Sequence, residues 1–303
     1  MATGVLILGA SGMLGQALMR ACRQRGIDAI GVARRAHPLV DMTFDSLDDA
    51  ALTQAIEQTR PDVVINAAAL VNLTACEADP GAAYRINAHL PALLANLSRE
   101  HGFQLVQIST DHFYAGDGAA LHDETAPVQL LNEYARTKYA GEAFALTAPG
   151  AWVLRTNLVG FRDDPEQPTF VEWALDGLTR RQPMTLFSDY FTSSIAVQLF
   201  SDLLLDALPQ RPSGLLNLAS CTAASKQTFI EALARAAGLD AGACSIGSVA
   251  ALPGARRADS LGLDVRRAET LLGRAMPALS DTIAVLMAEY NERKSCVTTA
   301  SST

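Results

Sequence analysis

The chain has 303 residues, 49% hydrophobic and 18% charged, which is enough apolar material to order a core and too much for a disordered chain. Lys and Arg total 24 against 32 Asp and Glu, a balance of −8 with the basic residues scattered, so nucleic acid is not an expected partner. The five cysteines (Cys22, Cys76, Cys221, Cys244 and Cys296) are odd in number and lack the spacing of a metal site or redox pair. No apolar run approaches the ~20 residues that cross a bilayer, and Met1-Ala2-Thr3-Gly4 lacks a basic leader. The expectation is a cytoplasmic protein without metal or membrane partner, acting on a small molecule, with a homodimer left open.

Val5-Leu6-Ile7-Leu8 is a short apolar strand ending in glycine, and Met13 to Arg25 follows with helical spacing through Leu14, Ala17, Leu18, Ala21 and Cys22. The pattern repeats with a strand at 28–33, a helix at 47–59, a strand at Val63-Val64-Ile65, a helix at 82–101 and a strand at 105–108. Such alternation predicts an α/β fold, a Rossmann-type doubly wound parallel sheet with helices on both faces. A polar, Gly-rich loop at 109–129 precedes a helix at 132–145 and the strand Trp152-Val153-Leu154; a loop of that length is expected to be functional. Beyond Gly160, helices at 170–180, 195–208, 226–237 and 279–292 and short strands near Leu186 and Leu216 suggest a smaller, partly helical C-terminal lobe. The expected organisation is a cofactor domain at 1–160, a substrate lobe at 161–294 interleaved with the sheet, and a Ser/Thr-rich disordered tail at 295–303.

The run Gly9-Ala10-Ser11-Gly12-Met13-Leu14-Gly15 joins the first strand to the first helix, where helix-start amides can face a pyrophosphate. Its spacing is one residue looser than the usual dinucleotide fingerprint. At the end of the second strand, where an acid would take the ribose hydroxyl of NAD, stand Arg34 and Arg35; two guanidinium groups suit the extra phosphate of NADP, so NADPH is expected over NADH. Asp41 and Met42 are expected to close on the adenine, and Ala67, Ala68 and Ala69 to let the cofactor lie against the backbone.

Tyr134 and Lys138 are four apart in a helical stretch and share a face. A phenol with pKa near ~10 is a weak acid at neutral pH, but a neighbouring ammonium favours its phenolate and makes proton exchange feasible. Thr110, just past the fifth strand at the edge where open α/β sheets bind ligands, could orient a carbonyl beside Tyr134.

The segments 61–69 (PDVVINAAA), 108–111 (ISTD) and 131–138 (LNEYARTK), with Gly141-Glu142 after them, resemble the extended short-chain dehydrogenase/reductase superfamily over about residues 3 to 292. Within it the chain is most similar to the dTDP-4-dehydrorhamnose reductases and to the NADP-binding regulatory β subunit of methionine adenosyltransferase. The resemblance implies that Thr110, Tyr134 and Lys138 form a catalytic triad, that Lys138 also holds the nicotinamide ribose, and that Asn87 supports the site; a helix-surface amide is the other reading of Asn87. It implies an NADP-dependent reductase of a nucleotide-activated 4-keto sugar. An NAD-dependent sugar-nucleotide epimerase or dehydratase and a non-catalytic NADP-binding regulatory subunit are the alternatives.

The pattern departs from these reductases near the sugar: after Asp111 stands His112 where the family has Tyr, and Leu158 stands where it has Trp. Asp111, His112 and Leu158 are therefore the substrate-side candidates, with His112 also readable as an exposed loop residue. The segment 256–264 keeps Arg256 and Arg257 but loses the family's proline. Ser194 reads as a helix cap and Arg155 as an ion-pair partner.

Overall fold

A computed structural model describes residues 4–162, 164 and 166–300, the side chains of 296–300 excepted. The first half runs β1 (Val5–Leu8), α1 (Met13–Gln24), β2 (Ala29–Ala33), β3 (Met42–Thr43), α2 (Asp49–Thr59), β4 (Val63–Asn66), α3 (Leu73–Ala78), α4 (Pro80–Tyr84), α5 (Leu90–His101) and β5 (Gln104–Ile108). Then come β6 (Leu121–His122), α6 (Glu133–Ala145), β7 (Trp152–Arg155), β8 (Asn157–Val159), α7 (Phe170–Thr179), β9 (Thr185–Phe187), β10 (Phe191–Thr192), β11 (Ser194–Ala196) and α8 (Val197–Ala207). The chain closes with β12 (Gly214–Asn217), β13 (Ala224–Ser225), α9 (Lys226–Ala237), β14 (Ser245–Gly247), β15 (Ser260–Leu263), α10 (Arg266–Leu272) and α11 (Leu279–Ala300).

Seven parallel strands form the central sheet in the order β12-β7-β5-β4-β1-β2-β3. Continuous apolar runs such as Val5–Leu8 and Val63–Ile65 are buried because helices cover both faces. On one face Leu18 of α1, Leu204 of α8 and Ala268 of α10 share a core; on the other, Ile56 of α2, Leu94 of α5 and Ala145 of α6 share a second. Strand order reverses between β1 and β4, the crevice where open α/β sheets take their ligands.

The expectation of a second-lobe strand near Leu216 is corrected: β12 extends the central sheet beside β7, and α8 is the crossover that reaches it. The chain crosses between lobes in the other direction too, since β6 from the long loop joins β15, β10 and β13 in a four-stranded sheet. A third core, with Leu175 of α7, Phe229 of α9 and Leu286 of α11, holds the smaller lobe. Ser194 is not the cap of α8. It lies in β11 and its hydroxyl donates to Asn157 Oδ1 at 2.7 Å, while Ala196 occupies the cap position. The tail expected to be disordered from Ser295 instead continues α11 through Ala300, each added residue closing one more helical hydrogen bond; residues 301–303 lie outside the described residues.

The helix expected at 82–101 is interrupted: Arg85–His89 widens into a π-turn between α4 and α5. Such widening brings Asn87 Oδ1 onto the Leu70 amide at 2.9 Å and Asn87 Nδ2 onto Thr137 Oγ1 at 3.2 Å, tying the loop after β4 to α6. The surface reading of Asn87 is thereby overturned, because the residue is buried. Close approach here requires Gly141, where an added Cβ would stand 2.0 Å from Asn87 O. Gly141→Ala is therefore expected to destabilise the fold by at least ~1–3 kcal/mol, the usual cost of overpacking, despite the better helix propensity of alanine. Urea denaturation checks this; a midpoint at or above that of the parent would contradict it.

Candidate active site

The turn after β1 meets the turn after β4 at the strand-order reversal. Gly9 has φ of +81°, and a Cβ there would lie 2.9 Å from Ala68 N, so Ala67 and Ala68 pack directly beneath it while the Ala67 amide donates to Leu8 O at 3.1 Å. α1 then begins without a side-chain cap: Gly12 is the N-cap and its first turn, Met13, Leu14 and Gly15, has no acid. Orphan amides and the positive end of a twelve-residue helix at this crevice fit a pyrophosphate. Ser11 and Ala69 stand half-buried at the same edge.

Arg34 and Arg35 are exposed just past β2, and neither guanidinium has a hydrogen bond or ion pair among the described residues. Asp41 and Met42 lie alongside, with Asp41 Oδ2 already accepting the Gly31 amide at 2.8 Å.

α6 brings the chemical groups to the sheet edge. Asn132 caps it by accepting the Ala135 amide at 2.8 Å. Tyr134 and Lys138 then lie on its buried face, and Lys138 Nζ donates to Ile108 O, the last residue of β5, at 2.7 Å. One turn on, Glu142 forms a buried pair with Arg155: Nε to Oε1 is 2.9 Å and Nη2 to Oε2 is 2.7 Å. Thr110 and Asp111 follow β5 and are both buried; Asp111 Oδ2 accepts Asn157 Nδ2 at 2.8 Å. Leu158, in β8, is half-buried and packs against the main core.

Burial dominates the electrostatics. It lowers the Lys138 ammonium from 10.5 to about 8, against the pull of Glu142. It pushes the Tyr134 phenol well above its ordinary range, opposed by a hydrogen bond with Thr110. Asp111 is also held above the carboxylate range by burial, opposed by the charge of Lys226.

His112 is not an exposed loop residue. Its ring meets Tyr134 edge-on at 5.4 Å, Nε2 lies 3.4 Å from Tyr190 OH, and Nδ1 is buried without a hydrogen-bond partner among the described residues. Burial, then the charges of Lys226 and Arg257, lower it from 6.5 to about 4. The structure therefore gathers Thr110, Asp111, His112, Tyr134 and Lys138 at one edge, with the glycine turn beside the adjoining strands. Lys226, Tyr190 and Asn157 escaped the sequence analysis; the one signal was that Asn157 stands next to Leu158, a position where the familiar pattern is lost.

A glycine turn opening an uncapped helix at the switch point, with a tyrosine and a buried lysine on a later helix face, is the architecture of the NAD(P)-dependent oxidoreductases of the extended short-chain dehydrogenase/reductase type. Within that class the chain belongs to the RmlD substrate binding domain family, which it matches over residues 3–292. It is 29% identical over 300 residues, 95% of this chain and 99% of the relative, to the protein named "probable low-salt glycan biosynthesis reductase Agl14" of Haloferax volcanii. It is 40% identical over 153 residues, half of each chain, to a "probable dTDP-4,6-dihydroxy-2-methyloxan-3-one 4-ketoreductase" of Streptomyces antibioticus. Among solved structures, dTDP-4-dehydrorhamnose reductase of Bacillus anthracis in complex with NADP superposes with a TM-score of 0.85 at 22% identity, covering 95% of this chain and 100% of that one.

The lowered pKa of His112 has a consequence for stability. The folded protein holds the ring neutral, so its contribution is complete above the unfolded pKa of ~6.5 and is lost as pH falls toward about 4. In urea titrations the stability difference between parent and His112→Gln should shift by ~1–2 kcal/mol against the parent between pH 6.5 and 4. The opposite dependence of Asp111 is present in both proteins and cancels to first order. Parallel curves would contradict this.

Proposed function

We propose that the protein reduces the ketone of a nucleotide-linked 4-keto sugar, with NADPH preferred over NADH. The observation that carries the reading is the shared face of Tyr134 and Lys138 beside Thr110 at the carboxyl edge of β5. Family membership and the names of the relatives support it. The turn from Gly9 to Gly15 would hold the pyrophosphate, Arg34 and Arg35 the ribose phosphate, Asp41 and Met42 the adenine, and Ala67, Ala68, Ala69 and Lys138 the nicotinamide half. When bound, the cofactor supplies the hydride that goes to the carbonyl carbon.

The chain's own groups handle the proton. Thr110 Oγ1 orients the ketone oxygen, and Tyr134 gives that oxygen its phenolic proton as the alcohol forms. Burial, with the charge of Asp111 beside it, makes Tyr134 a reluctant acid, and the Thr110 hydrogen bond works against this. In this reading the charge on Lys138, one turn along the same helix face, adds to that and favours the phenolate. The four described cysteines are all free, which agrees with a cytoplasmic location for this chemistry.

Tyr134→Phe should cut turnover of a nucleotide-linked keto sugar by a factor on the order of 10² to 10⁴ while leaving NADPH binding nearly intact. Nicotinamide absorbance follows the first and calorimetry the second; turnover within a few-fold of the parent would remove Tyr134 from the mechanism. A parent that binds NADPH but oxidises it with no keto sugar would instead favour a regulatory subunit. Replacing Arg34 and Arg35 together by Ala should erode the affinity ratio of NADPH to NADH by ~10-fold or more, since each charge-assisted bond is worth ~1.5–3 kcal/mol. An unchanged ratio would contradict the assignment.

A further inference from the structure

We propose that Lys226 and Arg257, reaching into the site from the smaller lobe, seat an anionic group of the substrate close to Tyr134. The identity of the ligand as a sugar nucleotide rests on the reductase reading; the need for anionic oxygens does not.

Lys226 is the first residue of α9, and its backbone amide donates to Tyr190 O at 2.9 Å. The residue is only 9% exposed. Its ammonium stands over the Phe170 ring at 4.4 Å and lies 5.8 Å from the centroids of Tyr190 and Phe229. Ring faces attract a cation but accept none of its three N–H bonds in the ordinary sense. Among the described residues the ammonium has no hydrogen bond, and no carboxylate within 4 Å.

Nearby acids are already engaged. Asp111, which attracts Lys226, has Oδ2 on Asn157 and Oδ1 3.4 Å from Thr110 Oγ1. Asp259 accepts the Gly116 amide at 2.8 Å and the Ser260 hydroxyl at 3.0 Å. Arg257 Nη1 is buried without a hydrogen-bond partner among the described residues, and its segment is pinned beside the Tyr134 helix by Asn132 Nδ2 donating to Arg256 O at 2.9 Å. His112 Nδ1 is a further buried, unpartnered nitrogen, on a ring that touches Tyr134.

A buried cation without a hydrogen-bond acceptor is costly, and the aromatic slot around Lys226 would accept a methionine at lower cost. An ammonium, a guanidinium N–H and a neutral imidazole facing one region complement the oxygens of a carboxylate or phosphate. Two parts of a sugar nucleotide carry such oxygens: a carboxylate on the sugar ring and the diphosphate.

Calorimetry on the NADP-loaded protein distinguishes them, with UDP, UDP-glucose and UDP-glucuronate and their thymidine counterparts as probes. Lys226→Met should weaken the anion-bearing ligand by ~10-fold or more, the worth of one charge-assisted contact. A loss confined to the glucuronates assigns the ring carboxylate; an equal loss across all probes, nucleoside diphosphates included, assigns the diphosphate. Arg257→Gln, at a half-buried position outside the apolar cores, carries the same test should Lys226→Met fail to fold. Affinities within twofold of the parent for every probe in both variants, or a parent that binds none of them, would overturn the proposal. Tight binding without reduction of any ketone removes the reductase reading and leaves this one, whereas ketone turnover with unchanged variant affinities does the reverse.

Discussion

The carboxylate of Glu142 is the interaction on which the site depends. It is 3% exposed, accepts two nitrogens of the equally buried Arg155, and takes the Ser109 hydroxyl at 2.6 Å. These contacts fasten α6 to the end of β7 and to the residue after β5. Since Lys138 lies one turn earlier on the same face, the same carboxylate raises its proton affinity against burial. A buried pair of this kind adds little net stability over an apolar core, but losing one member leaves an uncompensated charge. Its value here is in position and in the charge state of a neighbour.

Arg155 carries the constraint onward. Its Nη1 donates to Tyr114 OH at 2.7 Å, and its guanidinium lies over the Phe113 ring at 4.9 Å, so the long loop after β5 is packed rather than free. Tyr114 stacks on His122 at 4.1 Å, and His122 Nδ1 meets Gly262 O of β15 at 2.9 Å. A continuous set of polar and aromatic contacts thus runs from α6 into the smaller lobe. The cleft between lobes is built from both because β6 and β12 each belong to the sheet of the other half of the chain.

Local patterns were legible in the sequence and distant pairings were not. The apolar runs of β1, β4 and β5, the glycine turn and the four-residue spacing of Tyr134 and Lys138 are set by neighbours in the chain, which periodicity records directly. That β12 joins β7 is a contact between residues 152–155 and 214–217, and no local spacing encodes it. The two readings of Asn87 could not be separated in the sequence because the partners that hold its amide inward, Leu70 and Thr137, lie far along the chain. His112 and Lys226 are unremarkable as letters; burial beside Tyr134 and under three aromatic rings gives them their chemistry.

The charge on Lys138 can be tested by the pH dependence of kcat at saturating keto sugar, where a bound substrate anion holds the charge on Lys226, which burial also lowers to about 8, compared between the parent, Lys138→Arg and Lys226→Met. In the parent the value should fall above pH about 8 as Lys138 loses its proton. A guanidinium stays charged throughout that range, so Lys138→Arg should lose the basic limb even if its plateau is lower, while Lys226→Met keeps it. A limb unchanged in Lys138→Arg, or abolished only in Lys226→Met, would show that the titrating charge beside Tyr134 is not the one that Glu142 holds in place.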